Sequence, residues 1–341
     1  MQKVRSLSTR HPRVSVGRLV DEFVPPPHFD AVRFDNYLPD PRQASQAAAV
    51  AALRALAGRI ADPPATRRGL FRRASPPEDR AGIYLDGGFG VGKTHLLASL
   101  WHAVPGPKRY GTFVEYTNLV GALGFRTAVE ALKDNTLVCI DEFELDDPGD
   151  TVLMSTLLGE LVAGGVSLAA TSNTLPDKLG EGRFAADDFL REIQGLSAHF
   201  DVVRIEGEDY RHRGLPSAPE PATEDEVRAL VAATPGAAID DFADLQRHLT
   251  TIHPSRFGAL VEGVTLLGLT GVRTITDQAQ ALRLVVLVDR LYDRDVPVIA
   301  SGSPLDRVFA RDMLRGGYRK KYFRAISRLV SLARDGQAMV G

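Results

Sequence analysis

One cysteine and one tryptophan stand among 341 residues. A single thiol excludes an intramolecular disulfide and fits a reducing compartment; Cys139, inside the apolar run Leu137-Val138-Cys139-Ile140, reads as a small buried hydrophobe. No apolar run approaches the roughly 18 residues of a membrane span, and the N-terminus lacks the apolar stretch of a secretory leader. A cytoplasmic protein is expected, with peripheral membrane contact left open. There is no internal repeat, helix-turn-helix, zinc module or RNA-binding signature, and a formal net charge of −2 provides no global pull toward nucleic acid.

Hydrophobic residues make up 44% and charged residues 25%, ordinary for a globular protein long enough to carry an α/β core and a second domain. The charge is unevenly spread. Residues 1–80 hold 14 Lys/Arg against 8 Asp/Glu, and residues 307–328 hold eight basic residues against the one acid Asp312. Residues 220–247 reverse the balance, with seven acids and two arginines. Such asymmetry points to partner-facing surfaces or flexible arms.

The strongest motif is Gly87-Gly88-Phe89-Gly90-Val91-Gly92-Lys93-Thr94, which fits G-x-x-x-x-G-K-[ST]. An apolar strand, Ile83-Tyr84-Leu85, precedes it, and Leu96, Leu97, Leu100 and Trp101 follow at helical spacing until Pro105-Gly106-Pro107. The glycines let backbone N–H groups curl round phosphate oxygens, and the helix start adds its positive end. Lys93 would reach the β- and γ-phosphates and the Thr94 hydroxyl would bind Mg²⁺, with His95 completing the binding stretch. The plain alternative is a glycine-rich turn without a ligand.

A second element argues against that alternative. The run ending at Ile140 delivers Asp141-Glu142 to the C-terminal edge of a buried parallel strand, where ligands of such sheets bind. Asp141 is assigned to the metal and Glu142 to the attacking water. A further strand, Leu168-Ala169-Ala170-Thr171, ends in Ser172-Asn173, and Asn173 is a candidate for contact with the γ-phosphate or its water. Together these motifs predict an enzyme hydrolysing a nucleoside triphosphate, ATP foremost.

Residues 1–33, with Pro25-Pro26-Pro27, read as an extended arm, and 62–80 as a basic loop within a P-loop core spanning 34–213. The alanine-rich stretch 43–60 reads as a helix. From residue 82, strands (83–86, 110–115, 137–141, 166–171, 201–206) alternate with helices (93–103, 117–132, 149–163, 185–198). This pattern predicts an α/β fold with a parallel five-stranded sheet flanked by helices. Residues 214–250 read as an acidic linker or insertion and 251–341 as a C-terminal α/β extension, with strands at 264–269 and 296–300 and helices at 277–293 and 318–334.

At this point the chain resembles the ZapE-type cell-division ATPases, P-loop enzymes of the AAA+ class. The likeness rests on Ile140-Asp141-Glu142-Phe143-Glu144-Leu145-Asp146-Asp147, Ala170-Thr171-Ser172-Asn173-Thr174-Leu175-Pro176-Asp177-Lys178-Leu179 and Gly207-Glu208-Asp209-Tyr210-Arg211-His212-Arg213. It continues through Leu287-Val288-Asp289-Arg290-Leu291-Tyr292-Asp293 and Phe323-Arg324-Ala325-Ile326-Ser327-Arg328-Leu329. The resemblance implies an AAA+ core, ATP and Mg²⁺ as cofactors, a ring-like homo-oligomer when ATP is bound, and action at the division ring through the tubulin-like protein FtsZ.

The match departs from the family in two places: Asp147-Pro148-Gly149-Asp150 replaces an Ile-x-Asp-Ala pattern, and the arginine pair before Phe189-Leu190-Arg191-Glu192-Ile193 is altered. For the arginine that the resemblance implies acts in trans, Arg183 is favoured over Arg191, with a surface arginine of no catalytic role as the plain alternative for either. Phe34-Asp35-Asn36-Tyr37 either stacks on adenine or anchors the arm. Arg324 and Arg328 either include a γ-phosphate sensor or form a solvated helix face. The alternative to a division-ring ATPase is a helicase loader or replication initiator acting on nucleic acid through the basic segments 67–73 and 307–328. A third class is an adaptor that binds ATP but barely hydrolyses it. The intact Asp141-Glu142 pair speaks against the adaptor, and the missing base-reading module favours an acidic protein partner over nucleic acid for 307–328.

Overall fold

The computed structural model describes residues 5–62, 81–88, 90–144, 148–175, 190–207 and 217–340. Two compact units divide the chain: residues 20–212 form a central unit, and residues 1–19 combine with 213–341 to form the other. The division falls inside α1 (Val16–Asp21).

In the central unit, α2 (Ala44–Ala61) precedes β1 (Gly82–Gly87), α3 (Lys93–Ala103), β2 (Lys108–Thr112), α4 (Phe113–Leu123) and α5 (Phe125–Leu132). Then come β3 (Leu137–Asp141), α6 (Pro148–Ala163), β4 (Ser167–Ser172), α7 (Leu190–Ala198) and β5 (Phe200–Ile205). The five strands form one parallel sheet in the order β2-β3-β4-β1-β5. Alternation along the strands sorts side chains to its two faces. Ile83, Leu85, Leu137, Cys139 and Ala169 join Leu53 of α2 and Leu96, Leu97 and Leu100 of α3 in one core. On the other face Tyr84, Phe113, Phe143 and Phe200 meet edge to face, with Tyr84–Phe143 centroids 6.0 Å apart and Phe113–Phe143 5.0 Å. The parallel five-stranded sheet flanked by helices that the alternating pattern predicts is the fold found. One expected helix, 117–132, is instead two, because Gly124 takes φ +79° between α4 and α5.

The second unit holds α8 (Glu224–Ala233), β6 (Ala238–Asp241), α9 (Phe242–Thr251), the single-turn α10 (Phe257–Leu260), β7 (Leu267–Val272), α11 (Gln278–Tyr292), β8 (Val298–Gly302) and α12 (Arg319–Ala338). Its strands form a parallel sheet in the order β6-β7-β8. Gly336 lets α12 lie directly on β8, since a Cβ there would stand 2.2 Å from the Val298 carbonyl oxygen.

Two sequence expectations differ from this structure. The segment read as an acidic linker, 214–250, contains α8, β6 and α9 within its described residues. Its acids sit at helix starts: Thr223 and Glu226 form a capping box on α8, and Asp241 accepts from the N–H groups of Ala243 and Asp244 on α9. The positive ends of the two helices favour those carboxylates, so what read as a charge run is capping chemistry.

The segment read as an extended arm, 1–33, is folded where described. Arg5 bridges to Ala238, the Ile239 N–H donates to the Arg5 carbonyl at 2.9 Å, and Leu7 is wholly buried in the second unit's core. Phe23 is buried in the central unit, its ring 4.8 Å from that of Tyr116. Each of these apolar side chains docks against a distant element, so no local periodicity announced it. The basic loop beyond residue 62, Phe89 and Arg183 lie outside the described residues. Among the described residues no helix is long and apolar enough to cross a membrane.

Candidate active site

β1 lies between β4 and β5, and its last residue decides how the glycine loop begins: a Cβ on Gly87 would sit 2.4 Å from the Ile205 carbonyl oxygen. The chain then turns through Gly90 and Gly92, at φ +81° and +85°, conformations that L side chains rarely adopt. Gly92 has a second reason to lack a side chain, because Tyr37 Cε2 lies 2.6 Å from where its Cβ would be. The Tyr37 hydroxyl donates to the Val91 carbonyl at 2.9 Å, bracing the loop from outside. α3 starts at Lys93, so its first N–H groups face the loop.

The Lys93 ammonium is buried and donates to the carbonyls of Gly87 at 2.7 Å and Gly88 at 2.6 Å, and to Asn173 Oδ1 at 2.8 Å. At the second position of α3 the Thr94 hydroxyl lies 3.3 Å from Asp141 Oδ1. Two helix residues thus reach the tips of β3 and β4, bringing Lys93, Thr94, Asp141 and Asn173 into one hydrogen-bonded cluster. His95 faces away toward the segment before α2, with Nε2 3.3 Å from the Arg33 carbonyl oxygen and its ring 5.5 Å from that of Tyr37.

Neighbouring strands hold Asp141 in place. Tyr110, on β2, donates its hydroxyl to Oδ2 at 2.9 Å, and Thr171, on β4, donates to Oδ1. The Thr171 oxygen also accepts from the Glu142 N–H at 3.0 Å, and that N–H lies 3.1 Å from Asp141 Oδ1. Glu142 itself takes φ +54°, a left-handed conformation costing about 1–2 kcal/mol in a non-glycine residue. It persists because both sides are pinned: the Glu142 N–H by Asp141 and Thr171, and the Phe143 N–H by the Thr171 carbonyl at 2.6 Å with the Phe143 ring fully buried. Strain of this kind clusters at functional sites. Burial, and then the neighbouring Asp141 charge, pushes the Tyr110 hydroxyl well above its ordinary pKa, so it stays a donor at neutral pH. Burial likewise pushes the Cys139 thiol up, keeping it protonated and inert.

Sequence reading did not find Tyr110 or Thr171 as partners of Asp141. Tyr110 looks like an ordinary strand aromatic, and only the β2-β3-β4 order puts it and Thr171 on either side of the aspartate. Beside the cluster, at the C-terminal edges of β1, β4 and β5, opens a cleft of about 560 Å³ lined by Asp86, Gly88, Asn173, Arg204 and Glu206. That volume falls within the roughly 300–1,000 Å³ of small-molecule sites. The oxygens of Thr94 and Asp141 are hard donors of the kind Mg²⁺ takes alongside phosphate.

The other sequence candidates fall elsewhere. Arg191 is exposed on the first turn of α7. Phe34 is buried in the α2–α3 core, which supports the anchor reading for that aromatic, whereas Tyr37 abuts the glycine loop. In the second unit, Arg324 donates to Asp289 Oδ2 at 2.9 Å and Arg328 to Oδ1, with the Arg328 guanidinium 5.0 Å from the centre of the Tyr292 ring. Two distant motif segments therefore meet as an ion-paired join between α11 and α12.

Comparison with known proteins extends these observations. The chain is 28% identical to cell division protein ZapE of Escherichia coli K12 over 291 residues, covering 73% of this chain and 76% of that protein. It is 24% identical to lactation elevated protein 1 homolog B of Danio rerio over 305 residues, covering 71% and 60% respectively. Among solved structures, domain III of the Thermotoga maritima replication initiation protein DnaA aligns with a TM-score of 0.39 and 17% identity, over 79% of this chain and 90% of that one. The model of the AFG1-like ATPases matches residues 15–227 and 217–338. Because that match takes in the five-stranded sheet and the three-stranded sheet alike, the chain as a whole belongs to the AFG1-like ATPase family.

Proposed function

We propose that this protein hydrolyses ATP at the glycine loop and uses the cycle to remodel or regulate a protein partner in cell division, FtsZ foremost. The observation carrying the chemistry is the cluster in which Lys93 meets Asn173 at 2.8 Å and Thr94 meets Asp141 at 3.3 Å. In this reading Lys93 exchanges its contacts to the loop carbonyls for the β- and γ-phosphates, and backbone N–H groups of the stretch from Gly87 to His95 cradle them. Thr94 and Asp141 hold Mg²⁺, which would neutralise charge on the phosphate oxygens. Glu142 orients the water that attacks the γ-phosphorus as the bond to the bridging oxygen of ADP breaks. Asn173 steadies the γ-phosphate. Arg183, or Arg191 in its place, completes the site of a neighbouring subunit in a ring.

Similarity to ZapE, described as a cell division protein, supports the cellular role. A cytoplasmic location follows from that role. The deciding experiment measures phosphate release by the protein alone, with FtsZ, and with single-stranded DNA, alongside Lys93→Ala. Stimulation by FtsZ and loss of turnover in the variant are expected. Stimulation by DNA alone would transfer the protein to the helicase-loader class. Turnover surviving in Lys93→Ala would remove the site assignment.

A further inference from the structure

In the second unit the chain leaving β7 runs beside the chain leaving β8. Ile275 bridges to Phe309, the Ile275 N–H donates to the Val308 carbonyl at 2.8 Å, and the Thr274 hydroxyl to the Arg307 carbonyl at 2.9 Å. Successive turns carry the second chain to α12: the Arg315 N–H donates to the Asp312 carbonyl at 3.0 Å and the Arg319 N–H to the Gly316 carbonyl at 3.2 Å. Along this path Ile275, Val308, Phe309 and Met313 turn inward and are buried. Arg273, Arg307, Arg311, Arg315 and Arg319 turn outward and are exposed.

None of these five arginines has an acidic partner among the described residues. The contrast within the same unit is sharp, since Arg324 and Arg328 share Asp289, Arg18 pairs with Glu262, Arg228 with Glu224 and Arg247 with Asp244. Of the nearby carboxylates, Asp306 forms no ion pair with them and has a buried Oδ1 without a hydrogen-bond partner, and the other two bond backbone N–H groups. Asp277 accepts from the Gln280 N–H at 2.8 Å and Asp312 from the Met313 N–H at 3.0 Å. Five exposed guanidinium forks thus lie along two adjoining stretches of chain, and such forks match carboxylates in two-pronged geometry.

We propose that the surface formed by Arg273, Arg307, Arg311, Arg315 and Arg319 is a docking site for an acidic polypeptide segment of a partner protein. Two observations favour a polypeptide over nucleic acid. Single-strand binding uses exposed aromatics as stacking platforms. Here Phe309 and Tyr322 are buried against each other with centroids 4.8 Å apart, and Tyr318 is half-buried beneath Lys321. Asp312 is exposed next to Arg311, a negative charge set among the arginines that would repel a continuous phosphate backbone but leave room for a segment with spaced carboxylates. This site is independent of the ATP chemistry and can stand or fall without it.

The test uses the full chain and two labelled probes, poly-L-glutamate and single-stranded oligo-dT, followed by fluorescence anisotropy at about 50 and 200 mM salt. The variants are Arg307→Glu/Arg311→Glu/Arg315→Glu and, as a control for bulk charge, Arg228→Glu/Arg247→Glu. Thermal melting and basal ATP turnover should change little in either, because all five side chains are exposed and the ion pairs of Arg228 and Arg247 lie on the surface, where such pairs contribute little. Expected is saturable polyglutamate binding that weakens about tenfold or more in the first variant and stays within about twofold in the control. Absence of saturable polyglutamate binding, or equal losses in both variants, would overturn the proposal. Tighter oligo-dT binding abolished by the first variant would overturn it in favour of a nucleic-acid surface.

Discussion

The buried Tyr110 hydroxyl donates to Asp141 Oδ2 at 2.9 Å, so the orientation of the candidate metal-binding carboxylate is set from β2, two residues before that strand ends. Tyr110→Phe keeps the ring and removes that donor. A hydrogen bond to a charged group contributes about 1.5–3 kcal/mol, so the fold should survive while Asp141 loses its fixed rotamer. The expected result is a several-fold higher Mg²⁺ concentration for half-maximal ATP turnover, with milder effects at saturating Mg²⁺. A Mg²⁺ titration superimposable on that of the unaltered protein would show that Thr171 and Thr94 suffice to hold the carboxylate.

Alkaline pH should destabilise the central unit through its buried ionisable groups. Tyr110 and Tyr116 are both buried and both have pKa values raised well above the ordinary 10.0, burial being the largest cause in each. A group whose folded pKa is raised contributes stability that is intact below its unfolded value and is lost as pH climbs toward the folded one. The free energy of unfolding measured by urea denaturation should therefore begin to fall at about pH 9, where the buried Cys139 thiol starts to contribute, and more steeply above about pH 10, by up to roughly 1.4 kcal/mol per pH unit for each group. Replacing both tyrosines with phenylalanine should flatten the part above pH 10. An unchanged slope would locate the alkaline sensitivity elsewhere.

Glu142 combines a candidate catalytic carboxylate with a left-handed backbone, and two substitutions separate the two properties. Glu142→Gln should bind an ATP analogue normally and lose about 10²-fold or more in kcat, since it keeps the shape but not the charge. Glu142→Gly should lose activity too, yet hold its stability or gain up to about 1 kcal/mol by relieving φ +54°. A glycine variant that melts well below the parent would mean that the carboxylate, not the backbone, dominates stability there.

If a neighbouring subunit supplies an arginine, specific activity should rise with protein concentration. Arg183→Ala should then remove about 10³–10⁵ in kcat while ATP binding remains, and Arg191→Ala should have little effect. The reverse ranking assigns the role to Arg191. A flat dilution series from a sedimenting monomer would dispose of the trans site altogether.

The N-terminal segment should prove integral to the second unit. Asp240, almost wholly buried, accepts from the Leu7 N–H at 2.8 Å, the Ser8 N–H at 2.9 Å and the hydroxyls of Ser6 and Ser8 at 2.7 and 2.6 Å. Leu7→Ala should cost about 2–5 kcal/mol, the range for a core leucine, and Asp240→Ala should leave the same segment prone to proteolysis. Calorimetry and limited trypsin digestion read the two effects. A wild-type melting profile for Leu7→Ala would reduce the segment to a surface attachment.

Local chemistry made part of this protein legible from its residues alone. The glycine loop, the apolar strand ending in Asp141-Glu142 and the strand ending at Asn173 each declare themselves within about ten positions, because phosphate cradles and parallel strand edges need particular residue types at short spacing. Alternation of strand and helix likewise carried the five-stranded sheet. What sequence could not decide was every relation between residues far apart in the chain. The 2-3-4-1-5 order puts Tyr110 and Thr171 on either side of Asp141, and Asp289 turns two basic helix residues into an ion-paired join. Asp240 converts what reads as a loose arm into part of a folded unit, and helix caps account for acids that read as a linker. Periodicity reports only what neighbours on one element share, whereas these contacts join elements that the chain visits at different times, and tertiary packing alone brings them together.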